Sequence, residues 1–240
     1  MFHFFGIKLY YITYYMMKTL DPIIAYIMAQ YYSIINLAQN IFVYRDIIEI
    51  YMKMLKLKNV CLLKTKDSCE LYSGRCIYFC NHRSAADLFI DGYLTNCATY
   101  ISLLKSLYLV PFATLAALYH KCIILFSYNF SSRKHLYQRA FDTLKYNSLI
   151  VYPEGTRNIQ QKSLKLKHGF TKFAWVNNIP IQIIITTKKE DVLSFKLWKA
   201  DNNVECTTTI SDVLFPWNFG LAEWINKVED EWATQWSKVY

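Results

Sequence analysis

Charge is scarce in this chain. Only 19% of its residues are Asp, Glu, Lys or Arg, against 54% hydrophobic, a balance too apolar for an ordinary soluble surface. Glycine and proline are also few, at 6 and 5. No stretch rich in Pro, Gly or Ser marks a linker, so the 240 residues are expected to carry a single globular core. Internal repeats and low-complexity tracts are missing as well. The seven cysteines form no C-x-x-C pair and no metal-ligand spacing, which excludes a disulfide framework or a zinc module and reads as reduced, cytosolic thiols. No metal and no bound cofactor are expected. The formal charge of +9 would suit nucleic acid, but no aromatic RNA-binding platform, zinc pattern or basic helix accompanies it. Anionic lipid surfaces and phosphate groups fit that charge better, and part of it is simply a solvated face.

A cleaved signal peptide is not expected, because the start has no basic n-region and no small-x-small site follows the apolar stretch. What stands there instead is long and apolar. Met1 to Met17 carries only Lys8 as a charge, and after Lys18 and Asp21-Pro22 the run Ile23 to Tyr44 carries none. As a helix that second run would extend about 33 Å, enough to cross a bilayer core or lie along it. Gln30, Ser33, Asn36, Gln39 and Asn40 recur at near-helical spacing, so an amphipathic pair dipping into one leaflet competes with a spanning helix. The basic residues that follow, Arg45 to Lys66, favour the cytosolic side for the remainder if the run inserts. The expected organisation is hydrophobic membrane-associating helices over 1–52 and a globular domain over 53–240, at an intracellular membrane of endoplasmic-reticulum type.

Two short blocks carry the chemistry. In Asn81-His82-Arg83-Ser84-Ala85-Ala86-Asp87 an imidazole and a carboxylate stand five positions apart. On a continuous helix they would point about 140° apart. The backbone must turn between them, and Ser84 with Asp87 three residues on reads as a helix N-cap, putting His82 just ahead of the helix and Asp87 in its first turn. The carboxylate can then fix the imidazole tautomer, leaving the other ring nitrogen to take a proton from a hydroxyl. The second block, Tyr152-Pro153-Glu154-Gly155-Thr156-Arg157, follows the apolar run Ser148 to Tyr152. It reads as a strand end opening into a turn where a guanidinium and backbone N–H groups can face an anion. A Cys80–His82 hydrolase would leave this second block unexplained.

In order and spacing the two blocks resemble the glycerolipid acyltransferase family, which includes the 1-acylglycerol-3-phosphate and lysocardiolipin acyltransferases and carries N-H-x-x-x-x-D followed by F-P-E-G-T-R. Tyr152 replaces the usual Phe. Leu166-Lys167-His168-Gly169-Phe170, Ala174 and Ile179-Pro180-Ile181 look like the family's K-x-G-x-x-x-x-A segment and final V-P-V strand. The resemblance spans about residues 75 to 186. It implies His82 as general base and Asp87 as its partner, with Lys105, Glu154, Gly155, Thr156 and Arg157 at the acceptor. It further implies acyl-CoA as co-substrate, a lysophospholipid such as lysophosphatidic acid as acceptor, and membrane lipids as surroundings. One position departs from the family. Tyr128 stands where an Arg after a strand is usual, and Arg133 or Lys134 could supply that charge. A glycerol-3-phosphate acyltransferase and an inactive lipid-binding relative are the alternatives.

Periodicity predicts an α/β fold with a largely parallel sheet and helices on its faces. Strands are expected at 76–80, 99–102, 122–127, 149–152, 180–186, 193–198 and 206–210, with helices at 85–96, 107–119, 133–146 and 170–177. Ser131 or Ser132 is the expected cap of the third helix. Trp224, Val228, Trp232 and Trp236 recur every four residues, a core-packing stripe before an interfacial anchor.

Overall fold

The computed structural model describes residues 23, 24, 27, 55, 56, 59–103, 123–125, 130–194 and 196–240. Among them, strands β1 (Cys61–Lys64), β2 (Ile77–Cys80), β3 (Thr99–Leu103), β4 (Ile123–Leu125), β5 (Leu149–Val151), β6 (Ile181–Thr186) and β7 (Glu205–Ile210) form one sheet in the order β1-β7-β6-β2-β5-β3-β4. Every neighbouring pair is parallel except β6 with β7. The helices are α1 (Asp87–Leu94), α2 (Phe130–Thr143), α3 (Gly169–Val176), α4 (Lys189–Val192) and α5 (Leu221–Ser237).

Strands β2, β5 and β6 are buried from end to end, as expected of parallel strands covered on both faces, whose sequences run apolar rather than alternating. Successive side chains still divide between the two faces. Ile77 and Phe79 join Leu149, Val151, Ile181, Ile183 and Ile185 in a core that α2, α3 and α5 cover. Cys76, Tyr78 and Cys80 point the other way, with Ile150, Ile184 and Ile210. Trp224, Val228, Trp232 and Trp236 all lie in the first core, so the four-residue stripe packs inward. Their indoles also find acceptors: Trp224 at Thr171 O, Trp232 at Ser163 Oγ and Trp236 at Gln161 O.

Several expectations are corrected. Among the described residues of 193–198 there is no strand; Ser194 and Lys199 instead form an isolated antiparallel bridge, with Trp198 at φ 49°. Strand β1 was not anticipated, because Cys61–Lys64 sits at the sheet edge with a mostly exposed pattern and shows no apolar alternation. Helix α2 starts at Phe130, which puts Ser131 and Ser132 inside its first turn rather than at the cap. The membrane-associating helices expected over 1–52 fall almost entirely outside the described residues, as do the helix at 107–119, Lys105 and Tyr128. Among the described residues no helix is long and apolar enough to cross a membrane.

Parallel strands bring their carboxyl ends to one edge of the sheet, where loops converge. The loops after β2, β5 and β6 carry residues 81–86, 152–168 and 187–188. Both sequence blocks lie there.

Candidate active site

Asn81, at the end of β2, is wholly buried and pairs with β6 as a strand residue would: its Nδ2 donates to Thr186 O at 2.9 Å and its Oδ1 accepts from Thr186 N at 3.0 Å. That double bond fixes where the chain leaves the sheet. One residue on, His82 Nδ1 lies 2.6 Å from Asp87 Oδ2. The turn between them is tied by the carboxylate itself, which accepts from Arg83 N at 2.8 Å and from Ser84 N at 3.1 Å. Ser84, expected as the helix cap, is not the N-cap of α1. The N-cap is Ala86, and Ser84 Oγ accepts from Ala86 N and donates to Lys189 O at 2.8 Å. Asp87 does open the helix, in the first turn where the helix dipole favours an anion.

The Asp87 carboxylate is 2% exposed as a residue, whereas the His82 side chain is 25% exposed. Nε2 has no hydrogen-bond partner among the described residues. Burial alone would raise the Asp87 pKa; the Lys189 ammonium and the hydrogen bond to His82, helped by Arg83 N–H, outweigh it and hold the carboxyl below its ordinary value. The His82 ring stacks on Tyr152 at 4.4 Å between centroids and 21° between planes.

The second block meets the first across a short gap. Asn158 N donates to His82 O at 2.7 Å. Glu154 is 2% exposed, and both of its oxygens are engaged inside the protein: Oε1 accepts from Asn158 Nδ2 at 2.7 Å and Leu164 N at 3.1 Å, and Oε2 from His82 N at 3.4 Å. Gly155, Thr156 and Arg157 are exposed beside it. Gly155 has φ +67°, a conformation costly for residues with a Cβ, and a Cβ there would run into the Lys167 side chain at 2.5–2.7 Å. The ammonium of Lys167 therefore lies across the Gly155 turn. Lys134 is exposed on α2.

Arg83, inside the first block, is 2% exposed. Its guanidinium is gripped by both oxygens of Glu190, by Gln160 O at 2.7 Å and by Ile159 O at 3.1 Å, and it lies under the Tyr240 ring at 5.0 Å. It ties the two blocks to α4 and to the C-terminus. Cys80 is fully buried, and burial pushes its thiol well above the ordinary value, which unsuits it for nucleophilic attack.

Sequence reasoning missed Lys189, Asp91 and Asn158. Asp91 carried a signal, since Asp87 and Asp91 at i and i+4 share a helix face. Two carboxylates on one buried face call for a cation, and Lys189 is that cation. Chemically, the pair offers a partly exposed imidazole tied to a buried carboxylate, beside a turn whose Gly155, Thr156 and Arg157 are exposed.

Residues 56–186 match the sequence profile of the Acyltransferase family. The chain belongs to that family. A 1-acyl-sn-glycerol-3-phosphate acyltransferase of Cocos nucifera is 31% identical over 125 residues, covering 51% of this chain and 41% of that protein. The chain thus spans about two fifths of the length of that relative. The crystal structure of the 1-acyl-sn-glycerophosphate (LPA) acyltransferase PlsC of Thermotoga maritima superposes with a TM-score of 0.66 at 17% identity, over 91% of this chain and 96% of that one. That likeness is one of fold. It agrees with the α/β sheet predicted for this member of the Acyltransferase family.

Proposed function

We propose that this member of the Acyltransferase family transfers a fatty acyl group from acyl-CoA to a glycerol hydroxyl of a lysophospholipid such as lysophosphatidic acid. The observation that carries the reading is the 2.6 Å contact between His82 Nδ1 and a buried Asp87, with the His82 side chain 25% exposed. His82 Nε2 takes the hydroxyl proton as the acceptor oxygen forms its bond to the thioester carbonyl carbon, and Asp87 stabilises the imidazolium. The tetrahedral intermediate collapses with cleavage of the C–S bond, and the proton passes from His82 to the departing thiolate. The acceptor identity is that of the relatives' names. Gly155, Thr156 and Arg157, with Lys105, face the acceptor head, and Glu154 holds their loop from beneath. Residues 1–52 keep the domain 53–240 at an intracellular membrane, its site on the cytosolic side.

The test is direct. Purified protein is incubated with labelled acyl-CoA and a panel of lysolipids plus glycerol-3-phosphate, and products are identified by mass spectrometry. A diacyl phospholipid that His82→Ala no longer forms supports the reading; product from glycerol-3-phosphate alone reassigns the acceptor, and no acyl product with any acceptor sinks the reading.

A further inference from the structure

Behind the His82–Asp87 pair lies a second layer of buried charge. Lys189 is wholly buried on α4, and its Nζ sits 3.4 Å from Asp87 Oδ1, 2.9 and 3.1 Å from the two oxygens of Asp91, and 2.6 Å from Asn81 O. Asp91 is 1% exposed. Its Oδ2 also accepts from the Tyr152 hydroxyl at 3.0 Å, and the Tyr152 ring is the one stacked on His82. The contacts close a circuit: His82 to Asp87, Asp87 to Lys189, Lys189 to Asp91, Asp91 to Tyr152, and Tyr152 back to His82. The family's usual Phe could stack but could not donate to Asp91.

We propose that Lys189 is a positioning residue for the acyl transfer: shared between Asp87 and Asp91, it keeps Asp87 ionised and aimed at His82, while Asp91 stops it from neutralising Asp87 outright. The proposal rests on the reading of His82 as general base. The charges support it. With both carboxylates ionised the layer holds two negative charges and one positive, so one negative charge remains for the imidazolium that forms during transfer. Lys189 stands closer to Asp91 than to Asp87, which leaves Asp87 Oδ2 to its hydrogen bonds with His82 and Arg83 N–H. A buried ammonium without partners would lose its proton; here burial lowers the Lys189 pKa but Asp87 and Asp91 more than restore it.

The groups that face Asp87 are His82 and the N–H groups of Arg83 and Ser84 from the loop, Lys189 from α4 and Asp91 from its own helix, with Cys80 and Tyr152 nearby on the strand ends. Of these only Lys189 brings a permanent positive charge. Its removal alone would strand two buried carboxylates, so Lys189→Met is expected to fold poorly. The informative comparison is Asp91→Asn against the double variant Lys189→Met/Asp91→Asn, because these differ only by the ammonium and the double variant keeps one negative charge.

Two measurements separate the inference from the reading beneath it. The first follows the Asp87 carboxyl by NMR in aspartate-13C-labelled protein, its signal assigned from Asp87→Asn. In the double variant its titration is expected to move up by about one to three pH units relative to Asp91→Asn, the size of a neighbouring charge effect. The second is the pH profile of acyl transfer: the acid limb of kcat/KM moves up with Asp87 and kcat falls at least tenfold, at unchanged acceptor KM. An Asp87 titration that does not move between the two variants overturns the inference whether or not the protein transfers acyl groups. A moved titration with an unmoved acid limb and wild-type kcat overturns it too, reducing Lys189 to a packing role. Full activity of His82→Ala, by contrast, strikes the general-base reading and leaves the titration result standing.

Discussion

Replacing Glu154 by Ala separates two roles that the P-E-G-T-R block could assign to its acid. If the carboxylate contacts acceptor, its loss weakens acceptor binding and leaves the fold intact. The structure places it differently. Three donors, Asn158 Nδ2, Leu164 N and His82 N, converge on its two oxygens at 2.7, 3.1 and 3.4 Å within a side chain that is 2% exposed as a residue. Each buried donor left without a partner costs about 1–3 kcal/mol, and bonds to a charged acceptor lie at the upper end. The 3.4 Å contact is long and adds little. Counting the two shorter bonds, and allowing water to satisfy part of the deficit, Glu154→Ala is expected to destabilise by about 2–4 kcal/mol. Glu154→Gln keeps one oxygen for Asn158 and Leu164 but turns an NH₂ toward His82 N–H, and should cost about 1–2 kcal/mol. Because the loop it braces also supports the His82 backbone, kcat should fall for both. The assay pairs denaturant unfolding in detergent with steady-state kinetics. A Glu154→Ala protein as stable as wild type, with a selective rise in acceptor KM, would refute the bracing argument and restore Glu154 to direct contact with substrate.

Loss of a positioned general base typically costs about 10²–10⁴ in rate, so His82→Ala should lose that much kcat; retention of more than about a tenth of wild-type turnover removes it from the mechanism. Arg157 is exposed, and Arg157→Ala should raise acceptor KM while leaving acyl-CoA KM and stability alone; a rise confined to acyl-CoA moves Arg157 to the donor side. Burial, opposed by Lys189 and reinforced by Asp87, raises the Asp91 carboxyl from 3.8 to about 6. The folded protein then binds that proton more tightly than the unfolded chain. Its stabilising contribution is complete below about pH 3.8 and is lost as pH rises through 6, so wild type should gain stability over Asp91→Asn between pH 7 and pH 5 in paired thermal melts, and a constant difference would contradict the shift. A chain starting at Arg45 lacks the uncharged run Ile23 to Tyr44, and in liposome flotation at high salt it should bind far more weakly than the full chain; equal flotation would place the membrane contact elsewhere.

Much of this architecture was legible where one physical signal dominated. Strands β2, β5 and β6 are short apolar runs bounded by polar or turn residues, and the pattern located each to within a residue or so. Edge strands and turns gave weaker signals. Cys61–Lys64 has no buried face to impose alternation, and Leu193 to Trp198 looked like a strand because Ser194 and Lys199 closing a turn leave no mark on hydropathy. The His82–Asp87 pairing was legible because five residues cannot bring those side chains together without a turn, and Ser84 signalled one. The turn formed: the Asp87 carboxylate took the N–H groups of residues 83 and 84, and the serine hydroxyl took that of Ala86. A carboxylate is the stronger acceptor for buried N–H groups.

The supporting layer was illegible for a different reason: Lys189 and Tyr152 lie 98 and 61 residues from Asp91 in sequence, and the layer makes sense only as a set. Lys189 in isolation is one more lysine in a basic chain, and Asp91 one more helical acid. Their burial follows from topology. β6 lies beside β2 in parallel register, so the residues just past its end arrive under the loop that begins α1. Once an i, i+4 pair of carboxylates is fixed there by the helix, burial without a cation would force a proton onto one of them. Lys189 offsets that penalty and is itself tolerated because both acids flank it. Tyr152 joins the same balance, its hydroxyl supplying Asp91 with a donor that Phe lacks. Tyr152 and Lys189 are therefore two parts of one local solution.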